Sequence, residues 1–594
     1  MYPILLSLLL LAAPADDWTT EFERSGGRLT ATYQETIDYC RRLDKASKWI
    51  RFESFGKSGE GRELPLLIVD KNGDFSAEHA HKRGKAIVLV QAGIHSGEID
   101  GKDAGLILIR EMAITRERES LLDHVTLVFI PIYNVDGHEH VAPYNRVNQK
   151  GPDNAGFRAN ATFLNLNRDY MKADAPETRA WLSLWNRWDP DLLVDCHVTN
   201  GADYPYVVTY LVEVFENADP GVAAWTRDRF VPPLGAGMRE SGFPLVHYVD
   251  FRDGHDPKSG LKTWASTPRF STGYVALANR PALLVETHML KDYASRVRGT
   301  HAILGRTLEI AGREAKDLRR INVEADARSA SLWETKPEAG GVVPLRFETD
   351  YSDSVMIDFE GYEYRPETSD VTGGTWHRYG TTPVAMRVPL FHRQKATLSV
   401  LVPQQYWIPP QWTDVIARLE AHGIEMTRLA APQTEHTVVY RLLDPKWAST
   451  PFEGRHTVTY DVKPFGETRT YPAGTVVVDM AQRRSRIAVH LLNPSAPDAL
   501  AQWGFFDTVF EAKEYVEDYV MEEIAREMLS DSSFGGISRD VFARRFREAM
   551  RDTALAGHPE RVRAWFYKNS PYAETRVGEY PVVSVSRVGI QVQY

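Results

Sequence analysis

Cysteine is almost absent from this chain, with only Cys40 and Cys196 among 594 residues. A disulfide framework therefore does not hold the fold together, and no Cys-x-x-Cys or Cys/His cluster builds a zinc ribbon or finger. A Cys40–Cys196 bridge is one reading, and two buried free thiols is the preferred one. Excess positive charge is also missing. The formal net charge is −10, so the field of the whole chain attracts neither nucleic acid nor an anionic membrane surface. No window holds about 18 uninterrupted apolar residues, which excludes an ordinary spanning helix. Internal repeats and low-complexity tracts are lacking too. With 43% hydrophobic and 25% charged residues, the remaining composition is that of a soluble globular protein.

Residues Met1–Ala15 read MYPILLSLLLLAAPA. This apolar run is too short to cross a bilayer and ends in the small-residue pattern Ala13-Pro14-Ala15 of an export leader. It has no Lys or Arg ahead of the apolar stretch, and a buried N-terminal helix is the competing reading. The expectation is an exported protein, periplasmic or extracellular.

Strand and helix patterns alternate over the first half. Ile50–Ser54, Leu64–Val69, Ala86–Gln91, Val125–Ile132, Leu192–Asp195 and Ala282–Val285 read as strands. Several are continuous apolar runs, as in strands covered on both faces. Glu98–Met112, Glu177–Trp188 and roughly 294–319 read as helices. The pattern predicts an α/β fold with a mixed, mostly parallel sheet and helices on both faces. A β-rich module and a mainly helical C-terminal region follow. The predicted divisions are a leader at 1–15, a catalytic domain at 16–325, a β-rich region at 326–484 and a helical region at 485–594. A Pro-initiated helix is expected over Ile408–Ile424, ending at Gly423.

Chemistry concentrates at strand ends. Ala86–Gln91 runs into His95-Ser96-Gly97-Glu98, a His-x-x-Glu pair able to offer an imidazole and a carboxylate to one metal ion. In a chain with 18 histidines this pair alone is weak evidence. A second copy, His422-Gly423-Ile424-Glu425, has no strand feeding it and reads as a helix end. A catalytic zinc needs a third protein ligand, and the strand ending Asp195-Cys196-His197 provides one. Between them lies Phe157–Tyr170, with Arg158 and Arg168 in a segment without helical or strand periodicity, where guanidinium groups can serve carboxylates or an oxyanion. Glu286 ends another apolar strand, a costly place for a carboxylate unless it has a task or a partner.

Taken in order, these residues resemble the carboxypeptidase A-like family of zinc carboxypeptidases. The likeness rests on Gly56-Lys57-Ser58, Gly61-Arg62, His95-x-x-Glu98, Asn134-Val135-Asp136-Gly137, Arg158, Leu166-Asn167-Arg168, His197 and Glu286, across about 30–320. The resemblance implies one Zn²⁺ per chain on His95, Glu98 and His197. It implies Arg158 as oxyanion stabiliser, Asn167 and Arg168 as the grip on a substrate's C-terminal carboxylate, and Glu286 as general base for a zinc-activated water. The partners it implies are peptide or protein C-termini. Where the family often has an acid oriented towards the first zinc histidine, this chain has Asn165. Tyr274 is the candidate for the tyrosine that caps substrate, with Tyr248 its rival. The specificity residue falls within 251–273, where His255, Asp256 and Arg269 are the polar options. A deacylase or amidase of the desuccinylase-like type, and an inactive peptide-binding relative, are the alternatives. The aromatic run Tyr406-Trp407-Ile408-Pro409-Pro410 reads as core and interface packing, with peptide or glycan binding the competing reading.

Overall fold

Aliphatic runs make the central strands of this protein. The computed structural model describes residues 17–254, 256–337, 340–530 and 533–586. The leader-like run at 1–15 and His255 lie outside them. The first ten strands are β1 (Ile50–Lys57), β2 (Glu63–Val69), β3 (Ala86–Ala92), β4 (Val125–Ile130), β5 (Leu192–Thr199), β6 (Val208–Val212), β7 (Leu245–His247), β8 (Phe251–Asp253), β9 (Asp256–Lys262) and β10 (Ala282–His288). Eight of them form one sheet in the order β1-β2-β4-β3-β5-β10-β6-β7. Its centre, β4-β3-β5-β10, is parallel, whereas β1/β2, β2/β4 and β10/β6 are antiparallel. The expected mixed α/β sheet is present.

Because side chains alternate along a strand, each central strand feeds two cores. Ile87 and Leu89 of β3 point into a core with Trp181, Leu182 and Trp185 from the helix Pro176–Trp188. Ala86, Val88 and Val90 point the other way, against Leu106, Ile109 and Met112 of the helix Asp100–Ala113 and Val297, Leu304 and Leu308 of the helix Tyr293–Arg313. Cys40 and Cys196 are buried in this second core as free thiols.

Some boundaries differ from the reading of the sequence. The helix expected near 294–319 is two, Tyr293–Arg313 and Ala315–Ser331, meeting at Glu314. The second runs through the expected division at 325, since Ala325 and Ser329 remain buried and no breaker intervenes. Beyond it, the long hairpin Val355–Thr368/Thr375–Phe391 joins β9 and β8 in a four-stranded sheet, so it borrows strands from the first half. The helix expected over Ile408–Ile424 spans only Thr413–Ala421, because Gln405–Ile408 is a strand. Gly423 follows it at φ +71, the left-handed conformation that terminates helices. Helices Asp518–Ser530, Arg539–Ala549 and Pro559–Lys568 give the C-terminal region its helical character. The strand Val583–Val585 then returns to a six-stranded sheet with Gln405–Ile408 and Gln433–Trp447, so the 485–594 segment does not stand apart from the β-rich one.

The C-terminal half also shares the first core. Ile416, Leu419, Ile487 and Leu491 pack in the same cluster as Trp181 and Trp185. Ion pairs stitch the seam. Arg455 grips Asp174 with both ends of its fork, at 2.7 and 2.8 Å, and Asp189 meets Arg280 at 3.0 Å and Arg483 at 2.6 Å. Burial alone would raise Asp174. The bonds from Arg455 and the charge of Lys172 outweigh it and hold the carboxyl down at about 2. A carboxyl that titrates lower in the folded than in the unfolded chain adds stability above its unfolded value of about 3.9, which is lost as pH falls. Here the loss completes as pH drops through about 2. In denaturant titrations at stepped acid pH, Asp174→Asn should flatten the fall in stability below about pH 4. Parallel curves for variant and wild type would rule out this seam as an acid-sensitive contact.

Candidate active site

β3 leads directly into the site. Gly93 turns the chain at φ +67, where a Cβ would come within 2.9 Å of Ile99. The Glu98 N–H then donates to the His95 carbonyl at 2.8 Å, closing a tight turn just ahead of the helix that begins at Asp100. The pair therefore converges through this turn rather than through the helix itself. β5 supplies His197, and β10 places Glu286 beside it in parallel register.

The three expected ligands come together. Glu98 Oε2 lies 3.0 Å from His95 Nδ1 and 3.1 Å from His197 Nδ1, and the two imidazoles are 5.0 Å apart at their centres. Among the described residues, this is the cluster of His, Cys, Asp and Glu able to hold a metal ion. The outward nitrogens are engaged. His95 Nε2 is 2.9 Å from Asn165 Oδ1, so the uncharged residue does reach the first histidine, and His197 Nε2 is 2.9 Å from Asp195 Oδ2. Asp195 in turn accepts from Ser271 Oγ at 2.5 Å. Such outer partners fix ring orientation and leave Nδ1 of both rings for a cation.

The electrostatics suit that role. Burial lowers His95 to about 4, which keeps it neutral. Burial opposes ionisation of Glu98 as well, but His95, His197 and Arg146 outweigh it and hold its carboxyl far below the usual range. At His197 burial is again opposed, and the Asp195 and Glu98 carboxylates raise it. A divalent cation takes the place of that proton when it binds. Two imidazoles and one carboxylate, with the fourth side facing a cleft, are the donor set of a catalytic zinc. The residues present fit the ion.

The cleft has a volume of about 450 Å³ and is also lined by Arg158, Asn167, Arg168, Tyr248 and Glu286. Arg158 Nη1 reaches Glu98 Oε1 at 3.0 Å, and the Arg158 carbonyl accepts from Asn134 Nδ2. Asn134 and Gly137 thus form the floor under this loop, since the Phe157 N–H donates to the Gly137 carbonyl at 2.7 Å. Asp136 is fully buried and accepts from Ser58 Oγ and Arg62, which ties the two early motifs to the same place. Asn167 Oδ1 accepts from Ser271 N, and the Arg168 guanidinium lies 4.2 Å over the Phe270 ring. Glu286 is 7% exposed, and its Oε2 has no hydrogen-bond partner among the described residues. Burial pushes its carboxyl up to about 8 despite the nearby His197.

Residues 36–220 match the family described as zinc carboxypeptidase. The stretch that carries His95, Glu98, Arg158 and His197 is thus similar to that family of hydrolases. Carboxypeptidase 2 of Trichophyton rubrum is 22% identical over 500 residues, covering 81% of this chain and 85% of the relative. Probable carboxypeptidase 2 of Arthroderma benhamiae is 22% identical over 498 residues, covering 80% and 86%. Among solved structures, a putative carboxypeptidase A from Shewanella denitrificans is 18% identical, covering 48% of this chain and 69% of its own, with a TM-score of 0.36. Carboxypeptidase A from Helicoverpa armigera is 16% identical, covering 48% and 74%, with a TM-score of 0.37.

One expected site residue is elsewhere. Tyr274 is fully buried in the helix Ser271–Leu277, packed against Tyr170 and Trp181. Its hydroxyl lies 2.9 Å from Nδ1 of His422, whose Nε2 faces the Met171 carbonyl. The second His-x-x-Glu motif thus serves the core, and its histidine holds Tyr274 out of the cleft. Tyr248 takes the cleft position, bonded to Asn200 and edge-on to Trp264. Within 251–273, Trp264, Ser266, Phe270, Ser271 and Thr272 line the cleft. Arg269 is instead committed to Asp498 and lies over Phe452 and Trp503. Sequence reasoning missed Arg146 and Gln149. Arg146 Nη2 reaches Glu98 Oε1 at 2.6 Å, its Nε bonds Gln149, and its stem crosses Gly97, where a Cβ would meet it at 2.5 Å. They stand in an irregular loop with no period to mark them, and the absent side chain at Gly97 was the one local signal.

Tyr274→Phe should therefore lower unfolding free energy by about 1–3 kcal/mol, by leaving buried His422 without its partner. KM should stay unchanged. A raised KM at unchanged stability, from paired denaturation and steady-state measurements, would return Tyr274 to the cleft.

Proposed function

We propose that this protein is a carboxypeptidase that removes C-terminal residues from peptides or proteins, with zinc held by His95, Glu98 and His197 and with Glu286 as general base. The observation that carries the reading is Glu286 Oε2. It is a buried, partnerless carboxylate oxygen in register with His197, at a cleft that also presents Arg158, Asn167 and Arg168. When bound, zinc supplies Lewis-acid polarisation and acidifies water. Glu286 takes a proton from the attacking water at Oε2 and returns it to the leaving amine nitrogen. Arg158 donates to the oxygen on which negative charge develops. Asn167 and Arg168 bind the terminal carboxylate, and Tyr248 closes over the bound residue. Among the described residues lining the cleft, Arg146, Arg158 and Arg168 face two carboxylates, Glu98 and Glu286. That balance favours neutral or acidic terminal residues over basic ones. The leader-like run at 1–15 supports export to the periplasm or beyond the cell.

Glu286→Gln tests the assignment. Metal content should remain at the wild-type level while hydrolysis of a peptide with a free C-terminus falls by about 10²–10⁴-fold. Turnover close to wild type, followed by mass spectrometry of shortened products, would sink Glu286 as the base.

A further inference from the structure

The turn carrying Asn167 and Arg168 is not held by residues of the first half alone. Asn165 caps it, its Oδ1 accepting from Asn167 N at 3.0 Å while lying 2.9 Å from His95 Nε2. One side chain thereby sets the distance between the carboxylate grip and the first metal ligand. The backbone N–H of Asn165 in turn donates to Glu453 Oε2 at 2.7 Å. Glu453 belongs to the connection between the strands Gln433–Trp447 and Val458–Tyr471, far along the chain.

This connection is built to present Glu453. The residue has φ +50, a conformation that non-glycine residues rarely adopt and that persists where the surroundings impose it. Phe452 before it stacks on Trp503 at 6.0 Å, with Arg269 over both rings. Gly454 after it is closely seated, since a Cβ there would come within 3.3 Å of Leu164 Cδ2. Arg455 follows with its two-pronged hold on Asp174. Charge adds a second reason. Burial and the neighbouring Arg158 bring Arg168 down to about 10, with Arg269 acting the same way, and Glu453 is the carboxylate that most opposes them.

We propose that Glu453 is a positioning residue for the carboxylate grip: by accepting the Asn165 N–H it fixes the 165–168 turn, so the C-terminal half completes the substrate side of the cleft. The proposal rests on reading Asn167 and Arg168 as that grip. Without the acceptor, the Asn165 N–H turns to water and the turn relaxes. Recognition held to within about 0.5 Å does not survive such a shift. Glu453 touches no reacting atom, so the loss falls on recognition of the terminal carboxylate rather than on bond cleavage.

The test compares a peptide with its C-terminal amide, using zinc-loaded full-length enzyme. In Glu453→Ala, the preference in kcat/KM for the free acid over the amide should fall by about tenfold, the scale of a hydrogen bond to a charged acceptor. KM for the acid should rise while kcat stays within about twofold. Glu453→Gln keeps an acceptor oxygen and should restore most of the preference. Glu453→Asp, which withdraws the acceptor by one methylene, should give a partial fall and serves if the alanine variant does not fold. An unchanged preference in Glu453→Ala or Glu453→Asp overturns the role of Glu453. So does an equal loss on both substrates, which marks a purely structural contact. A wild-type enzyme indifferent to the terminal carboxylate overturns the reading of Asn167 and Arg168 instead, and the proposal with it.

Discussion

Glu98 is a carboxylate with 3% of its surface exposed, wedged between two strand ends and the start of a helix. Left alone there, its charge would be prohibitively costly. The surroundings answer it from every side: two imidazoles at Oε2, the Val198 N–H on the same oxygen, and Arg146 and Arg158 on Oε1. Most of the site is arranged around this demand. The tight turn at 93–98 brings His95 to Glu98, the parallel register of β5 and β10 brings His197 and Glu286, and Asn134 holds the Arg158 loop in place. A divalent cation fits the same point because it supplies the charge that the ring protons and guanidinium groups otherwise provide.

The constraint extends outward through the second layer. Asn165 and Asp195 fix the backs of the two histidines, and each is itself anchored, Asp195 by Ser271 and Asn165 by Glu453. The second anchor lies in the C-terminal half. That half is therefore more than an appendage. Its side chains share the core around Trp181 and Trp185, its Arg455 and Arg483 pair with carboxylates of the first half, and its His422 fixes Tyr274.

Much of the sheet and the convergence of His95, Glu98 and His197 was legible in the sequence, for a physical reason. Strands buried on both faces must be apolar throughout, so Ala86–Ala92 and Val125–Ile130 announce themselves. A polar residue at the end of such a strand then stands out, as His197 and Glu286 do. What stayed hidden depends on contacts distant in sequence. Nothing near Tyr274 foretells its hydroxyl meeting His422, and nothing near Glu453 foretells Asn165. Arg146 is one arginine in an irregular loop until Gly97 is seen beneath it. The helix Ala315–Ser331 spans residue 325 because composition changes before the helix ends. The helix at 408–424 came out too long because Tyr406, Trp407 and Ile408 suit a buried strand equally well.

The central claim is that His95, Glu98 and His197 form one zinc site that activity requires. Metal analysis of the purified protein, before and after chelation, with His197→Ala alongside, tests it most directly. The account predicts about one zinc per chain in the wild type, hydrolysis lost on chelation and regained with zinc, and no tightly held metal in His197→Ala. A metal-free preparation that cleaves peptides at the full rate would contradict it.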